Sequence, residues 1–286
     1  MAVRVLKGID AARAVNEDIK SKLAGVGRSP KLAIVRIGER PDDISYERGI
    51  LKKMDTLGIG AEVHTFPEDI SNEDFQGAFK AINDDDKVDG ILCFMPMPKQ
   101  IDAGRIAETI DPHKDMDGIS PVNQAKIYAG DDSGYAPCTA EAVITLLDHY
   151  DIDVTGKRVT VIGRSPVIGR PVSMMLMKKN ATVTICHTRT KDVAEECRRA
   201  DIIVAAAGVP KMVTADFVSQ GAIAIDVGIH VDEDGNMCGD VDYEAVADRC
   251  EAITPVPGGV GSVTTSVLAD HVKRSVFCQG SGPVTR

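Results

Sequence analysis

No apolar run of about 18 residues occurs in this 286-residue chain, so no membrane-spanning helix is expected. The opening residues, MAVRVLKGID, lack the long apolar core of a secretory signal. Cysteine is present without pairing: the seven residues at 93, 138, 186, 197, 238, 250 and 278 are scattered, odd in number and without a CxxC pair. That argues against a disulfide framework or a zinc site, and suits reduced packing thiols in a cytoplasmic protein. A surplus of positive charge is missing too. With 33 Lys and Arg against 43 Asp and Glu the net charge is -10, which argues against a nucleic-acid partner. An anionic ligand would then have to be met by local positive charge. Internal repeats and low-complexity segments are absent as well.

What is there reads as α/β. At 30.5 kDa, with 43% hydrophobic and 27% charged residues, the chain can hold two modest cored domains. KLAIVRIG (31–38) reads as a strand, and SYERGILKKMDTLGI (45–59) has the helical spacing of Ile50, Met54 and Leu57. GAEVHTF, NEDFQGAFKAINDD and VDGILCFMPMP follow as strand, helix and strand, the last running into a proline-rich loop. TAEAVITLLDHY (139–150) predicts a helix with Thr139 as N-cap. The order then repeats: RVTVIG, a helix near 170–178, ATVTICH, a helix near 191–199, DIIVAAAG and AIAIDVG. A final apolar helix, TTSVLADHVKRSV, closes the pattern. Strands alternating with helices predict parallel sheets covered on both faces. GDDSGYAPC (130–138) is the expected interdomain joint.

The segment KRVTVIGRSPVIGRPVS (157–173) predicts a strand, a glycine turn opening at Gly163, and a helix. Such a turn places free N–H groups and a helix dipole where a pyrophosphate binds. GRSPVIG is not GxGxxG, but strand, turn, helix and second strand follow in the order a dinucleotide fold requires. The second strand ends CHTRTKD, with no carboxylate before Asp192 to bind ribose hydroxyls. Arg164, Arg170, Arg189, Lys191, Arg198 and Arg199 cluster within 36 positions. A solvated helix face accounts for Arg198 and Arg199; Arg164 and Arg189 each follow a strand end. This chemistry favours NADP, with NAD left open.

GRSPVIGRP, KDMDGISPVN, GYAPCTAEAV and ITPVPGGVGSVTTSVL together resemble the tetrahydrofolate dehydrogenase/cyclohydrolase family over nearly the whole chain. The last is the most specific: five prolines and glycines in residues 255–261 exceed what a tight turn needs, and imply backbone held close to a ligand. The resemblance implies two α/β domains flanking a cleft, the second Rossmann-type. Residues 1–137 would bind folate, 138–265 would bind NAD(P), and the helix in 266–286 would pack back on the first domain. It implies oxidation of 5,10-methylenetetrahydrofolate to the methenyl form, hydrolysis to 10-formyltetrahydrofolate in bifunctional members, tetrahydrofolate derivatives as ligands, and a homodimer. Carried over by motif, Tyr46 of SYERG would stack on the pterin and Asp117 of DMDG would accept hydrogen bonds from it. A turn-forming aspartate before Gly118 is the plainer reading of the latter. Pro257, Gly258 and Gly259 would lie against substrate. Gly163, Arg164, Ser165, Thr188, Arg189, Gly208, Ile229 and Thr264 would contact the cofactor.

Three positions depart from that pattern. The catalytic lysine expected four residues after Tyr46 is Ile50, and the glutamine expected before the proline loop is Phe94. Lys52 and Lys53 lie about 200° and 300° round a helix from Ile50. Ser262 stands where proline is usual, with no interpretation from sequence. The expectation is a folate-linked, NADP-dependent dehydrogenase whose cyclohydrolase step is weak or absent. The alternatives are the full bifunctional enzyme and a silent dinucleotide-binding regulator.

Overall fold

The computed structural model describes residues 3–232 and 235–279. A short strand β1 (Arg4–Val5) leads into helix α1 (Gly8–Leu23). Then come β2 (Lys31–Ile37), α2 (Pro41–Leu57), β3 (Gly60–Phe66), α3 (Asn72–Asn83), β4 (Gly90–Cys93), α4 (Ala103–Thr109) and α5 (Pro121–Ala129). The second alternating run is α6 (Cys138–His149), β5 (Arg158–Ile162), α7 (Gly169–Lys178), β6 (Thr182–Cys186), α8 (Val193–Arg198), β7 (Ile202–Ala205) and β8 (Ile223–Asp226). A hairpin of β9 (His230–Val231) and β10 (Met237–Cys238), helix α9 (Tyr243–Val246), β11 (Ala252–Ile253) and α10 (Gly261–Gln279) complete it. No helix among the described residues is long and apolar enough to cross a membrane.

The described chain divides into two compact units. One joins the residues up to Ala14 with Thr139–Thr264; the other joins Val15–Cys138 with the residues from Thr265 onward. Residues 3–14 therefore group apart from the rest of the folate domain expected over 1–137. The reason is backbone pairing: β1 runs parallel to β11, with Arg4 opposite Ala252 and Val5 opposite Ile253.

In the unit built on Thr139–Thr264, six parallel strands lie in the order β1-β11-β8-β7-β5-β6. The chain leaves β5 for β6 on one side and returns to β7 on the other. That reversal creates a crevice at the carboxyl ends of β5 and β7, the usual place for a dinucleotide. Strands β5, β7 and β8 are mostly apolar and almost fully buried, as helices on both faces require, with Thr160 and Asp226 the buried polar exceptions.

In the unit built on Val15–Cys138, three parallel strands lie in the order β3-β2-β4. Strand β2 is buried from Leu32 to Ile37, and its neighbours pack on Phe75, Phe79 and Ile106. Helix α2 starts at Pro41, four residues before the expected 45. Proline suits that first position, Asp42 and Asp43 complement the dipole, and Gly58 at φ 73° ends the helix. Helix α6 begins at Cys138, so Thr139 lies inside its first turn and is not the N-cap. Six cysteines are free and buried, as packing thiols should be; the Cys278 side chain lies outside the described set.

Candidate active site

The candidate nucleotide residues lie at four strand ends held in register within the unit built on Thr139–Thr264. Ile162 pairs with Cys186 and with Ala205, and Ala205 pairs with Asp226. Gly163 and Arg164, Thr188 and Arg189, Gly208, and Ile229 each follow one of these ends by one to three residues. Ser165 likewise lies three residues beyond Ile162, so parallel pairing gathers seven of the eight expected cofactor contacts on one edge, all but Thr264. Gly163 has φ 125°, and a Cβ there would sit 2.1 Å from the Ala206 carbonyl oxygen. A Cβ on Gly169 would sit 2.2 Å from the Gly163 oxygen. Only glycine fits either position, which is why the turn can hug the start of α7.

Ser165 Oγ accepts the Ile168 N–H at 3.1 Å, tightening the turn while keeping its own proton to donate. The 187–190 turn is closed by His187: its N–H donates to Thr190 Oγ1 at 2.9 Å, and its Nδ1 accepts the Arg189 N–H at 3.1 Å. Arg198 and Arg199 are paired with Glu195 on their own helix. Among the described residues, the exposed guanidinium groups of Arg164 and Arg189 have no such partner. In an acidic chain these are the local positive charges that an anion would meet.

The proline–glycine loop belongs to the same unit and is more than a turn. Gly8 N–H donates to the Gly258 carbonyl at 2.8 Å, and a Cβ on Gly8 would lie 2.0 Å from the Gly259 oxygen. Gly258 has φ 102°. A recess of ≈ 220 Å³ opens between Pro257 and Gly258 on one side and Gly228, Ile229 and Met237 on the other. Thr264 is buried at 8% exposure in the first turn of α10. Ser262, uninterpreted from sequence, is the second residue of that helix and its N–H donates to the Gly259 carbonyl at 3.0 Å. Proline is welcome at such a position, and serine adds a bond to the loop.

Tyr46, Ile50, Phe94 and Asp117 all lie within the unit built on Val15–Cys138. Tyr46, on α2, is 40% exposed, and its ring stands 5.7 Å from that of Phe94, tilted by 35°. Phe94 follows the end of β4 and is held by its N–H to the Val35 carbonyl at 2.9 Å. Ile50, one turn beyond Tyr46, is 0% exposed and Phe94 only 8%. Asp117 is half-buried; its Oδ1 accepts the Cys138 N–H, the first of α6, at 2.8 Å. A carboxylate at a helix start is well placed. Burial nevertheless pushes the Asp117 carboxyl above its usual range, against the hydrogen bonds from Cys138. Burial, then Cys138 and Asp117, push the Tyr46 phenol up as well, so phenol and carboxylate share one neighbourhood.

Gly118 has φ 62°, so Asp117 also opens a left-handed turn, as its plainer reading has it. The other acid of DMDG, Asp115, is 1% exposed and bound to the N–H groups of Ile119 and Ser120 and to Asn123 Nδ2. It shapes the loop and leaves Asp117 to the surface. Lys52 is exposed. Lys53 lies about 300° from Ile50 one way and so only about 60° the other. It is half-buried, its Nζ donates to the buried Ser266 Oγ at 3.0 Å, and desolvation pulls its pKa down. Sequence reasoning missed this pair, and missed the buried His271, whose Nδ1 meets the Met116 carbonyl at 2.8 Å next to Asp117.

A six-stranded parallel sheet with a glycine turn at its reversal point defines a dinucleotide-binding α/β protein. Residues 6–117 match the catalytic-domain model of tetrahydrofolate dehydrogenase/cyclohydrolase, and residues 137–279 match the NAD(P)-binding-domain model of the same family. The bifunctional protein FolD of Clostridioides difficile is 50% identical over 281 residues, 97% of this chain and 98% of that one. The crystal structure of the bifunctional FolD methylenetetrahydrofolate dehydrogenase/cyclohydrolase of Campylobacter jejuni superposes with a TM-score of 0.94 at 37% identity, covering 97% and 100% of the two chains. The Trypanosoma brucei dehydrogenase-cyclohydrolase, solved with NADP and an inhibitor, gives 0.92 at 31% identity, covering 99% and 100%. The chain belongs to the tetrahydrofolate dehydrogenase/cyclohydrolase family.

Proposed function

We propose that this chain is an NADP-dependent methylenetetrahydrofolate dehydrogenase that releases the methenyl product without hydrolysing it. The observation that carries the second clause is the packing of Ile50 and Phe94: both are buried, and Phe94 lies against the Tyr46 ring. Where the family pattern expects a lysine and its glutamine partner, the wall is hydrocarbon.

The residues present fit NADP. The Gly163 turn has no room for a side chain, and Arg164 and Arg189 follow the paired strand ends Ile162 and Cys186, exposed and with no carboxylate partner among the described residues. Gly163 and Ser165 would hold the pyrophosphate, Arg189 and Arg164 the 2′-phosphate, and Gly208 and Ile229 the remainder. NADP, when bound, takes up the hydride from the folate methylene carbon. Tyr46 offers its face to the pterin, and Asp117 accepts hydrogen bonds from pterin N–H groups, which fixes the ring's orientation. Positive charge developing on the folate is shared by its own nitrogens, so oxidation requires no acid or base from the chain. Hydrolysis does require one: water must be activated and a leaving nitrogen protonated, help worth about 10²–10⁴ in rate. Isoleucine and phenylalanine supply neither, and their apolar surface excludes water.

A second reading keeps both steps. Lys53 favours it, being half-buried within about 20° of the Tyr46 direction on α2 and held by Ser266. The test is loss of methenyltetrahydrofolate above its spontaneous rate, in the wild type, in Ile50→Lys/Phe94→Gln and in Lys53→Met. Rapid wild-type hydrolysis abolished by Lys53→Met would establish the bifunctional reading. The assembly that goes with the proposal is a cytoplasmic homodimer, checked by light scattering.

A further inference from the structure

Two buried aspartates beyond the expected contacts tie the loops of the nucleotide unit together. Asp240, 0% exposed, receives four donors on two oxygens. Oδ2 accepts the N–H groups of Ala207 and Gly208, the latter at 3.0 Å; Oδ1 accepts Val209 N–H at 3.0 Å and faces His230 Nε2 at 2.7 Å. Asp226, 3% exposed, accepts the N–H groups of Gly228, Asp240 and Val241, each at 2.9 Å. Its own N–H donates to Thr254 Oγ1 at 2.7 Å, where the proline–glycine loop begins. The backbone is pressed onto both carboxylates. A Cβ on Gly228 would lie 2.4 Å from Asp240 Oδ1, and one on Gly239 would lie 1.9 Å from Asp226 Oδ2.

We infer that Asp240 is a positioning residue for the cofactor: through Asp226 and His230 it locks the loops bearing Gly208, Ile229 and the proline–glycine segment into one frame. The inference rests on the cofactor reading above. It also states what the 207–209 loop can recognise. All three of its N–H groups are turned to Asp240, so the loop has only carbonyls to offer a ligand. It therefore suits donors such as ribose hydroxyls or a carboxamide NH₂, and not a phosphate. Three successive amides on one anion make the loop stiff, which lowers the ordering cost of binding.

Asp240→Asn is a sharp perturbation because four donors surround the carboxylate. Whichever way the amide turns, its NH₂ confronts two of them. The measurement is binding of NADP and of NAD to the full chain without folate, followed by intrinsic fluorescence or calorimetry, together with thermal unfolding and the KM for methylenetetrahydrofolate. Asp240→Asn should weaken NADP and NAD by the same factor, about tenfold or more, with folate KM unchanged. A variant that melts earlier yet binds both nucleotides with wild-type affinity would show a merely structural role and overturn the inference. If Asp240→Asn does not fold, His230→Ala decides. It leaves the three amide bonds and should weaken both nucleotides by a smaller common factor; unchanged affinity for both overturns the inference. Wild-type protein that binds neither nucleotide overturns the cofactor reading itself, and this inference with it.

Discussion

Arg189→Ala separates the two nicotinamide cofactors. Arg189 stands three residues beyond Cys186, whose strand partner Ile162 lies two residues before Arg164, so both guanidinium groups start from the same corner of the sheet. The 187–190 turn is fixed by its own hydrogen bonds through His187 and Thr190, and none of them uses the arginine side chain. Truncation should therefore leave the turn and the fold intact. On the proposed assignment, what is lost is a charge-assisted contact to a 2′-phosphate, worth about 1.5–3 kcal/mol, or roughly 10- to 150-fold in affinity. Exposure and salt screening draw the effect toward the lower end of that range. The assay is Kd for NADP and for NAD at two ionic strengths, in wild type and variant. NADP affinity should fall at least tenfold at low salt, with NAD changed less than about twofold. Equal losses for the two cofactors, or no loss for either, would refute the assignment of Arg189 to the 2′-phosphate.

Asp117→Ala should depress kcat/KM for methylenetetrahydrofolate by a few kcal/mol of transition-state binding and leave NADP affinity nearly unchanged; normal folate kinetics would reduce Asp117 to a turn residue. Gly163→Ala puts a Cβ 2.1 Å from a carbonyl oxygen at a positive φ, so it should cost more than about 2 kcal/mol of stability and abolish NADP binding in whatever still folds. Burial pushes Asp226 up to about 6 in the folded chain from an ordinary 3.8, so the native state takes up a proton that the unfolded chain binds only near pH 4. Its contribution to stability is fully present below about pH 4 and lost as pH rises through 6, and Asp117, also raised, acts the same way. The gap corresponds to at most about 3 kcal/mol for Asp226. Urea midpoints should accordingly rise from pH 7 to pH 5; a flat or falling profile would contradict this.

Much of the nucleotide unit was legible because its signals are local. Gly169 is a glycine for a steric reason that acts within seven residues, against the Gly163 carbonyl, and alternating apolar strands with helices leave few options besides a parallel sheet; the Ala206 oxygen that bars a side chain at Gly163 comes from the far end of β7 and is not local. Arg198 and Arg199 read from sequence as a solvated helix face, and both are exposed and paired with Glu195 at i,i+3 and i,i+4. What stayed hidden depends on partners far along the chain. Asp240 reads as an ordinary loop aspartate until the amides of 207–209 arrive from β7. Cys138 gains its role from Asp117, 21 residues earlier, which displaced Thr139 as the expected cap. Lys53 meets Ser266 across 213 residues, and no periodicity signals that pairing. The β1–β11 pairing similarly moves residues 3–14 into the nucleotide unit.

The most direct test of the central claim supplies purified wild-type protein with 5,10-methenyltetrahydrofolate and follows its loss by absorbance against a protein-free control. The same preparation is given methylenetetrahydrofolate and NADP. With Ile50 and Phe94 buried where the family pattern expects lysine and glutamine, the result expected on the proposal is clear NADP reduction and methenyl loss at the spontaneous rate. Methenyl hydrolysis as fast as NADP reduction would contradict the account and return the chain to a bifunctional enzyme.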